Sequence, residues 1–145
     1  MFRFRLERVL AYRRLQVDAL EQELHQHSQK LQHEETALAE LHTACRQQQE
    51  ELVASEGQQL AGAALRMWRE HYRTLEAQAQ LQHATVLETA RALAVKQQEA
   101  IAARQKKKML EKIADTARQR YSLKVARYAQ QLLDDSAKTR TSHGY

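Results

Sequence analysis

The stretch LAYRRLQVDALEQELHQHSQKLQHEETALAELHTACRQQQEEL, residues 10–52, decides the fold of this chain. Every seventh residue in it is apolar: Leu10, Val17, Leu24, Leu31, Leu38, Cys45 and Leu52. Residues seven apart share one face of a slightly underwound helix, so the pattern predicts a long helix with one apolar seam. The companion column is half polar: Arg13, Leu20, His27, Glu34, Leu41 and Gln48. Such a seam suits an intramolecular helix pair better than a very stable free dimer.

The composition of the chain also points to helix. The 145 residues contain no proline and only three glycines, Gly57, Gly62 and Gly144. Strands and compact loops need more turn residues than this, and only 6% of the residues are aromatic. We therefore predict an all-α fold without a thick globular core. No apolar run is long enough to span a membrane, no contiguous signal-peptide core is visible, and Cys45 alone excludes an internal disulfide.

The helical pattern breaks at SEGQQLAGAA, residues 55–64, where Gly57 can adopt the left-handed conformation that ends helices. It then resumes at Leu65, Trp68, Tyr72, Leu75, Ala79, Gln82, Val86, Ala90 and Leu93. This predicts a single domain, residues 1–145, forming an antiparallel two-helix coiled-coil hairpin with a longer C-terminal helix. Helix 1 is predicted at about 3–55, the turn at about 56–62, helix 2 at about 63–137 and a frayed tail at 138–145. One continuous helix that dimerises in parallel is the alternative.

A turn centred near residue 59 or 60 predicts that residues whose numbers sum to about 119 face each other. The predicted pairs are Leu38 with Leu81, Leu31 with Leu87, Leu24 with Val95, Val17 with Ile101, Leu10 with Met109 or Leu110, and Leu6 with Ile113. Helix 2 outlasts helix 1 and keeps an apolar stripe: Ala114, Ala117, Tyr121, Val125, Tyr128 and Leu132. Exposed stripes of this kind mark interaction sites. We expect Phe2 and Phe4, another protein or a second copy to cover it.

Charge is unevenly distributed along the chain. Residues 1–14 carry net +4, residues 15–103 net −6, residues 104–127 net +7 and residues 128–145 net zero. A hairpin would bring both basic segments to one end, which favours a partner with a negative surface. The basic opening, MFRFRLERVLAYRR, resembles an import presequence in composition. However, the heptad column begins within it at Leu10 and acidic residues follow at once, so it is predicted to be the start of the packed helix.

Enzymatic chemistry is not indicated by the sequence. GQQLAGAA has the glycine spacing of a P-loop, but Ala63 and Ala64 replace the lysine and hydroxyl residue that bind phosphate and magnesium. The seven histidines include no i, i+4 pair, so no cofactor or metal is expected. Cys45 falls at a heptad core position, where it is predicted to be a small apolar filler. We predict that the protein is not an enzyme.

Several patterns together resemble the FliJ family, the small coiled-coil component of the flagellar type III export apparatus. They are the opening F-x-F-x-L-x-x-V-L, the aromatic segment MWREHYRTLE at residues 67–76, the basic segment KKKMLEKI at residues 106–113, and Y-x6-Y-x3-L-L-D-D-x-A from Tyr121. The resemblance covers essentially the whole chain. It implies an antiparallel hairpin similar to the stalk of rotary ATPases, in the cytoplasm and peripherally associated with the inner membrane at the flagellar base.

The resemblance also implies partners: the export ATPase (FliI-like), the cytoplasmic domain of the export gate (FlhA-like) and export chaperones, with the membrane contacted only indirectly. The residues expected to bind the ATPase are Phe4, Arg5, Leu6, Arg8, Lys112, Ile113, Arg118, Arg120, Tyr121, Lys124, Val125 and Tyr128. The residues expected to bind the export gate are Met67, Trp68, Tyr72 and Leu75. Two alternatives remain: the equivalent stalk of an injectisome, and a coiled coil that binds nucleic acid through its basic end, although no nucleic-acid partner is expected.

Overall fold

The computed structural model describes residues 1–55 and 61–142, and the regular secondary structure in these ranges is α-helix alone. Helix α1 runs Glu7–Ser55 over 49 residues, and helix α2 runs Gly62–Ser142 over 81 residues. Gly57 and nearly all of the predicted turn lie outside the described residues. The predicted all-α class, with a longer second helix, agrees with the structure.

Both outer helix bounds differ from the predicted ones. Helix α1 begins at Glu7 rather than near residue 3, because residues 1–4 have no regular secondary structure and residues 5 and 6 form a turn. Helix α2 continues to Ser142 instead of ending near 137. No proline or glycine interrupts it there, and the hydroxyls of Thr139, Thr141 and Ser142 donate hydrogen bonds to backbone carbonyls three or four residues earlier. Residues 143–145 of the predicted frayed tail lie outside the described residues.

The chain divides into two compact units. The terminal unit contains residues 1–19 and 101–145, and the central unit contains residues 20–100. In the central unit the Gln49 amide donates a hydrogen bond of 2.7 Å to the Tyr72 hydroxyl. Further along, Gln82 Nε2 lies 2.6 Å from Glu34 Oε2, and Lys96 Nζ lies 2.9 Å from Glu23 Oε2. Residue numbers fall along α1 as they rise along α2, which is the order expected for antiparallel helices.

The terminal unit has contacts in the same order. Arg14 Nε lies 3.8 Å from Glu111 Oε1, and the N-terminal ammonium group of Met1 donates a 3.4 Å hydrogen bond to the Tyr121 hydroxyl. The α1 residues predicted to form the seam are the ones that lose solvent contact. Leu10 and Val17 are buried, and the other members of both heptad columns are half-buried.

The large apolar partners predicted on α2 are wrong in detail. Leu81 is 72% exposed, Val95 is 58% exposed, and Leu87, Ile101, Met109 and Ile113 are exposed as well, although Leu110 is half-buried. The buried α2 residues are small: Ala79, Thr89, Ala100, Ala103 and Ala114. A helix turns by about 100° per residue, so a residue one position from the seam points away from it. The predicted partners were wrong because they were the largest apolar residues near each position, whereas the heptad spacing places smaller residues in the seam.

Candidate protein-binding surfaces

The first four residues of the terminal unit have no regular secondary structure, and Arg5 and Leu6 form a turn. Phe2, Phe4 and Leu6 are half-buried, whereas Arg3 and Arg5 are exposed. The Phe2 ring centroid lies 5.4 Å from that of Tyr121. The segment ends where the Glu7 amide donates a 3.2 Å hydrogen bond to the Phe4 carbonyl, which leads into α1. Phe2 therefore covers part of the α2 stripe, one of the three possibilities predicted.

Beside this segment lies a depression of about 260 Å³ between the two helices. It is lined by Phe4, Glu7, Leu10, Arg14, Glu111, Ala114, Asp115 and Arg118. Three carboxylates and two guanidinium groups surround a small apolar floor. Such a surface offers complementary charge to a protein side chain but no arrangement of groups for catalysis.

Pairing between the helices ends near Ala117, and every described residue of α2 from Arg118 onward is exposed. The apolar residues Tyr121, Val125, Tyr128 and Leu132 continue along this part; we call them the terminal stripe. Tyr121 is 39% exposed, even with Phe2 against it, and Tyr128 is 64% exposed. The predicted stripe is thus exposed from Tyr121 onward, whereas its first two members differ from the prediction, because Ala114 is buried and Ala117 is half-buried.

The residues predicted to bind the ATPase are spread around α2. Arg118, Tyr121, Val125 and Tyr128 continue the seam side of the helix. At about 100° per residue, Ile113 and Lys124 border this side, Arg120 lies beside it, and Lys112 lies opposite it. Arg5 and Arg8 are exposed on the N-terminal segment and the first turn of α1.

The two units have opposite charge. The terminal unit carries sixteen Lys/Arg and six Asp/Glu, for a net charge of +10. The central unit carries seven Lys/Arg and twelve Asp/Glu, for a net charge of −5. The basic character predicted for residues 1–14 and 104–127 is thus concentrated in one compact unit. A patch of this strength attracts acidic partners over roughly a Debye length, about 8 Å at physiological salt.

The aromatic segment lies in the central unit and is anchored to α1. Trp68 and Tyr72 stack with ring centroids 5.3 Å apart and planes inclined by 10°. Trp68 Nε1 donates a 2.9 Å hydrogen bond to the Gln48 carbonyl. Trp68, Tyr72 and Leu75 are half-buried, whereas Met67 is 74% exposed. The structure therefore stacks Trp68 on Tyr72 and places Leu75 on the same side of α2, whereas Met67 lies to one side of them and is the most exposed of the four.

A groove of about 520 Å³ adjoins Tyr72 and was missed from the sequence. Its lining residues are His42, Cys45, Tyr72, Glu76, Ala79, Gln80 and His83. The sequence predicts Cys45 as a small apolar filler and assigns no role to His42 and His83. A signal for the groove was available, since antiparallel pairing with sums near 119 brings residues 42–45 beside residues 74–77. Small Ala79 leaves room there between the larger neighbours.

Among residues 1–55 and 61–142, no cluster of His, Cys, Asp and Glu has the arrangement of a metal site. Within the same ranges, no helix has the length and apolar character needed to cross a bilayer. The described part of the chain is thus a long-helical protein with an exposed apolar stripe, a basic terminal unit and a groove beside Tyr72.

The family model described as "Flagellar FliJ protein" matches residues 1–144, and the chain belongs to the FliJ family. No curated protein and no solved structure gives a significant match. Membership implies a non-catalytic role in flagellar protein export and interaction with the export machinery.

Proposed function

We propose that this protein is a stalk and adaptor of the flagellar type III export apparatus, formed by an antiparallel coiled-coil hairpin. In this proposal it binds and stimulates the export ATPase and links it to the export gate and to chaperones. It acts in the cytoplasm, at the inner membrane below the flagellum. The family match covers residues 1–144 and is to a flagellar family, which favours the flagellum over an injectisome.

The terminal stripe is the observation that carries the proposal. Its four apolar residues lie on α2 beyond the last buried contact with α1, within a unit of net charge +10. Exposed aliphatic and aromatic side chains contribute to folding only if something covers them. Aromatic side chains at the centre of an interface commonly contribute most of its binding energy. The surrounding cations would guide the stripe toward an acidic surface of the ATPase and accelerate association.

The aromatic segment, residues 67–76, is the proposed contact for the export gate or for chaperones. Trp68 and Tyr72 are held in place by their hydrogen bonds to α1 and stack on each other, so they form a fixed part of this surface. Met67 is exposed next to them, and methionine adapts its shape to different partners. The matched test compares binding of the gate domain to the Met67→Asp variant and to a Met109→Asp variant, which changes another exposed methionine in the terminal unit. Only Met67→Asp should weaken binding of the gate domain.

The decisive experiment measures ATP hydrolysis by the purified export ATPase across a salt series, with and without this protein. We compare the wild type with Tyr121→Ser/Tyr128→Ser, which shortens the terminal stripe. The control, Tyr12→Ser/Leu15→Ser, removes two exposed apolar side chains of α1 instead. If the two stripe tyrosines contribute about 2 kcal/mol, the stripe variant should need at least about thirtyfold more protein for half-maximal stimulation. Stimulation should weaken as salt rises.

Wild-type protein that fails to stimulate an assembly-competent ATPase at any salt would refute the stalk proposal. Equal losses in the control variant would show that general apolar exposure, not the stripe, matters. The nucleic-acid alternative predicts a shift of oligonucleotide mobility at low salt that disappears at high salt. Unchanged oligonucleotide mobility at low salt would exclude the nucleic-acid alternative.

A further inference from the structure

The helix pair of the terminal unit has two different sides. One side holds the depression of about 260 Å³, to which both helices contribute, with Glu7 from α1 and Glu111 from α2. Counted at about 100° per residue from these two, Val9, Tyr12 and Met109 lie on the opposite side. All three are exposed, Tyr12 by 61% and Met109 by 64%. We call these three residues the terminal patch.

Positive charge surrounds the terminal patch. Lys106 is exposed and lies about one turn before Met109 on the same side of α2. Helical periodicity places the acidic residues at 1–19 and 101–127 toward the depression side instead. They are Glu7, Asp18, Glu111 and Asp115. Within these ranges, the terminal patch therefore combines exposed apolar side chains with cations.

The central unit has a patch of the opposite sign. A groove of about 520 Å³ occupies one side of its helix pair, with His83 among the lining residues. Leu81 and Val95 lie on the opposite side of α2, about four turns apart, and are 72% and 58% exposed. Exposed Glu88 lies midway between them, and exposed Glu99 lies about one turn beyond Val95. We call Leu81, Glu88 and Val95 the central patch.

We propose that the protein associates with itself, with the terminal patch of one copy packed against the central patch of another. The terminal unit has a net charge of +10 and the central unit one of −5, so unlike units of two copies attract each other. The contact also removes apolar side chains of both patches from water, which stabilises the association.

A second copy covers both patches with one kind of partner. A different protein would need an acidic apolar surface for the terminal patch and a basic one for the central patch. Contacts between two terminal patches, or between two central patches, would bring like charges together. The chain itself supplies both complementary surfaces, at equal concentration.

The spacing of charges along α2 fits such a contact. In an antiparallel pair of α2 helices, residue numbers fall on one helix as they rise on the other. With Val95 opposite Met109 of the second copy, Glu99 therefore lies within one residue of the level of Lys106. At about 100° per residue, Glu99 and Lys106 also lie at the same edge of the contact. The carboxylate and the ammonium group can then form an ion pair between the two copies.

The test is sedimentation equilibrium of the full-length protein over a range of concentrations and salt. The average mass should rise above the chain mass of 16.9 kDa with concentration, and less so at high salt. The terminal variant Tyr12→Ser/Met109→Ser and the central variant Leu81→Ser/Val95→Ser should each raise the dissociation constant at least about tenfold. The control Leu87→Ser/Ile101→Ser changes two exposed apolar residues on the groove and depression sides and should associate like the wild type.

A matched pair of charge reversals tests the cations. Lys106→Glu should weaken association several-fold, whereas Lys108→Glu makes the same charge change two residues away, on the depression side, and should have little effect. Circular dichroism checks that all variants keep their helix content. Equal losses in Lys106→Glu and Lys108→Glu would overturn the assigned side, because net charge alone would then explain association.

Mixing the variants tests which patches meet. The terminal variant keeps its central patch and the central variant keeps its terminal patch, so an equimolar mixture should associate more strongly than either variant alone. A mixture no heavier than the separate variants would overturn the pairing of unlike patches. Wild-type protein that stays at the chain mass at low salt, or an equal loss in the apolar control, would overturn self-association through these patches.

The self-association proposal does not rest on the stalk proposal, and the two can fail separately. The stripe variant Tyr121→Ser/Tyr128→Ser should lose ATPase stimulation yet associate with itself like the wild type. The terminal and central variants should lose self-association yet stimulate the ATPase. A stripe variant that no longer associates with itself would overturn the assignment of self-association to the two patches.

Discussion

The central and terminal units use the same helix α2 in different ways. In the central unit, α2 residues spaced by three and four, from Leu65 to Ala100, are buried or half-buried. In the terminal unit burial ends at Ala117, yet the apolar stripe continues to Leu132. The central unit is acidic and the terminal unit is basic. An apolar stripe that extends past the last internal contact, within a charged unit, is a stronger indication of a partner than apolar content alone.

The spacing of the stripe shifts once where pairing ends. Up to Tyr121 the seam side of α2 keeps the heptad alternation of three and four, which suits a left-handed pair of helices. The step from Tyr121 to Val125 is a second step of four in succession, and the alternation then resumes to Leu132. Such an insertion of four residues locally unwinds a coiled coil.

Among substitutions that test the difference between the two units, a charge placed in the seam of the terminal unit should have the largest effect on the free energy of unfolding. Val17 is 3% exposed, whereas Leu15, two residues away, is 69% exposed. Burial of a carboxylate without a partner is costly, so Val17→Asp should lower the free energy of unfolding by at least about 3 kcal/mol. Leu15→Asp should change it by no more than about 0.5 kcal/mol. Urea unfolding followed by circular dichroism measures both, and similar losses would mean that the seam of α1 is not where the structure places it.

Overpacking of the small α2 seam should have the next largest effect. Ala103 is buried, and its neighbour Ala102 is exposed. Ala103→Leu should destabilise the protein by about 1–3 kcal/mol, because the two helices must separate to admit the larger side chain. Ala102→Leu should be neutral or slightly stabilising, since leucine is a good helix former. If both variants unfold at the same urea concentration, close packing of α1 against α2 at Ala103 does not stabilise the terminal unit.

Removal of the Phe2 ring tests whether its contact with Tyr121 holds the N-terminal residues in place. The contact between Phe2 and Tyr121 should contribute about 1 kcal/mol beyond the area it buries. Phe2→Ala should therefore accelerate amide hydrogen exchange in residues 3–7 and leave exchange in the central unit unchanged. Exposed Arg3 provides the control, Arg3→Ala. Unaltered exchange in Phe2→Ala would show that the N-terminal segment is held by other contacts.

The smallest effect should come from a charged group in the seam of the central unit. Lys96 Nζ donates hydrogen bonds to Glu23 and Glu99, which lowers the pKa of Glu23 below 4.5 and raises the pKa of Lys96 above 10.5. The contribution of Glu23 is present above pH 4.5 and is lost as pH falls through its lowered pKa. The contribution of Lys96 is present below pH 10.5 and is lost as pH rises through its raised pKa.

Lys96→Met keeps the apolar stem and should lower Tm slightly at neutral pH. Its Tm should equal that of the wild type in strongly acid solution, where Glu23 is protonated. Exposed Lys30→Met serves as the control, with no pH-dependent difference expected. A Tm difference that persists in acid would assign the effect to packing instead of charge.

Much of the fold could be read from local patterns. The heptad columns of α1 identified the residues that lose solvent contact, from Leu10 to Leu52. The register sum of 119 fits the pair of Glu23 and Lys96. The partners on α2 were wrong because alanine and threonine give a weak apolar signal, whereas exposed Leu81 and Met109 give a strong one. The predicted start of α1 was wrong because helix propensity is a local property. It carries no information about the contact between Phe2 and Tyr121, two residues that are 119 positions apart in the sequence.

The sequence by itself determined the helical class, the apolar column of α1, the segregation of charge and the excess length of α2, because each follows from spacing or composition along one chain. The tertiary structure alone decided that small α2 residues fill the seam and that a groove lies beside Tyr72. Those features depend on which side of one helix meets the other. That choice is set by the total burial of both partners, not by the apolar character of either one.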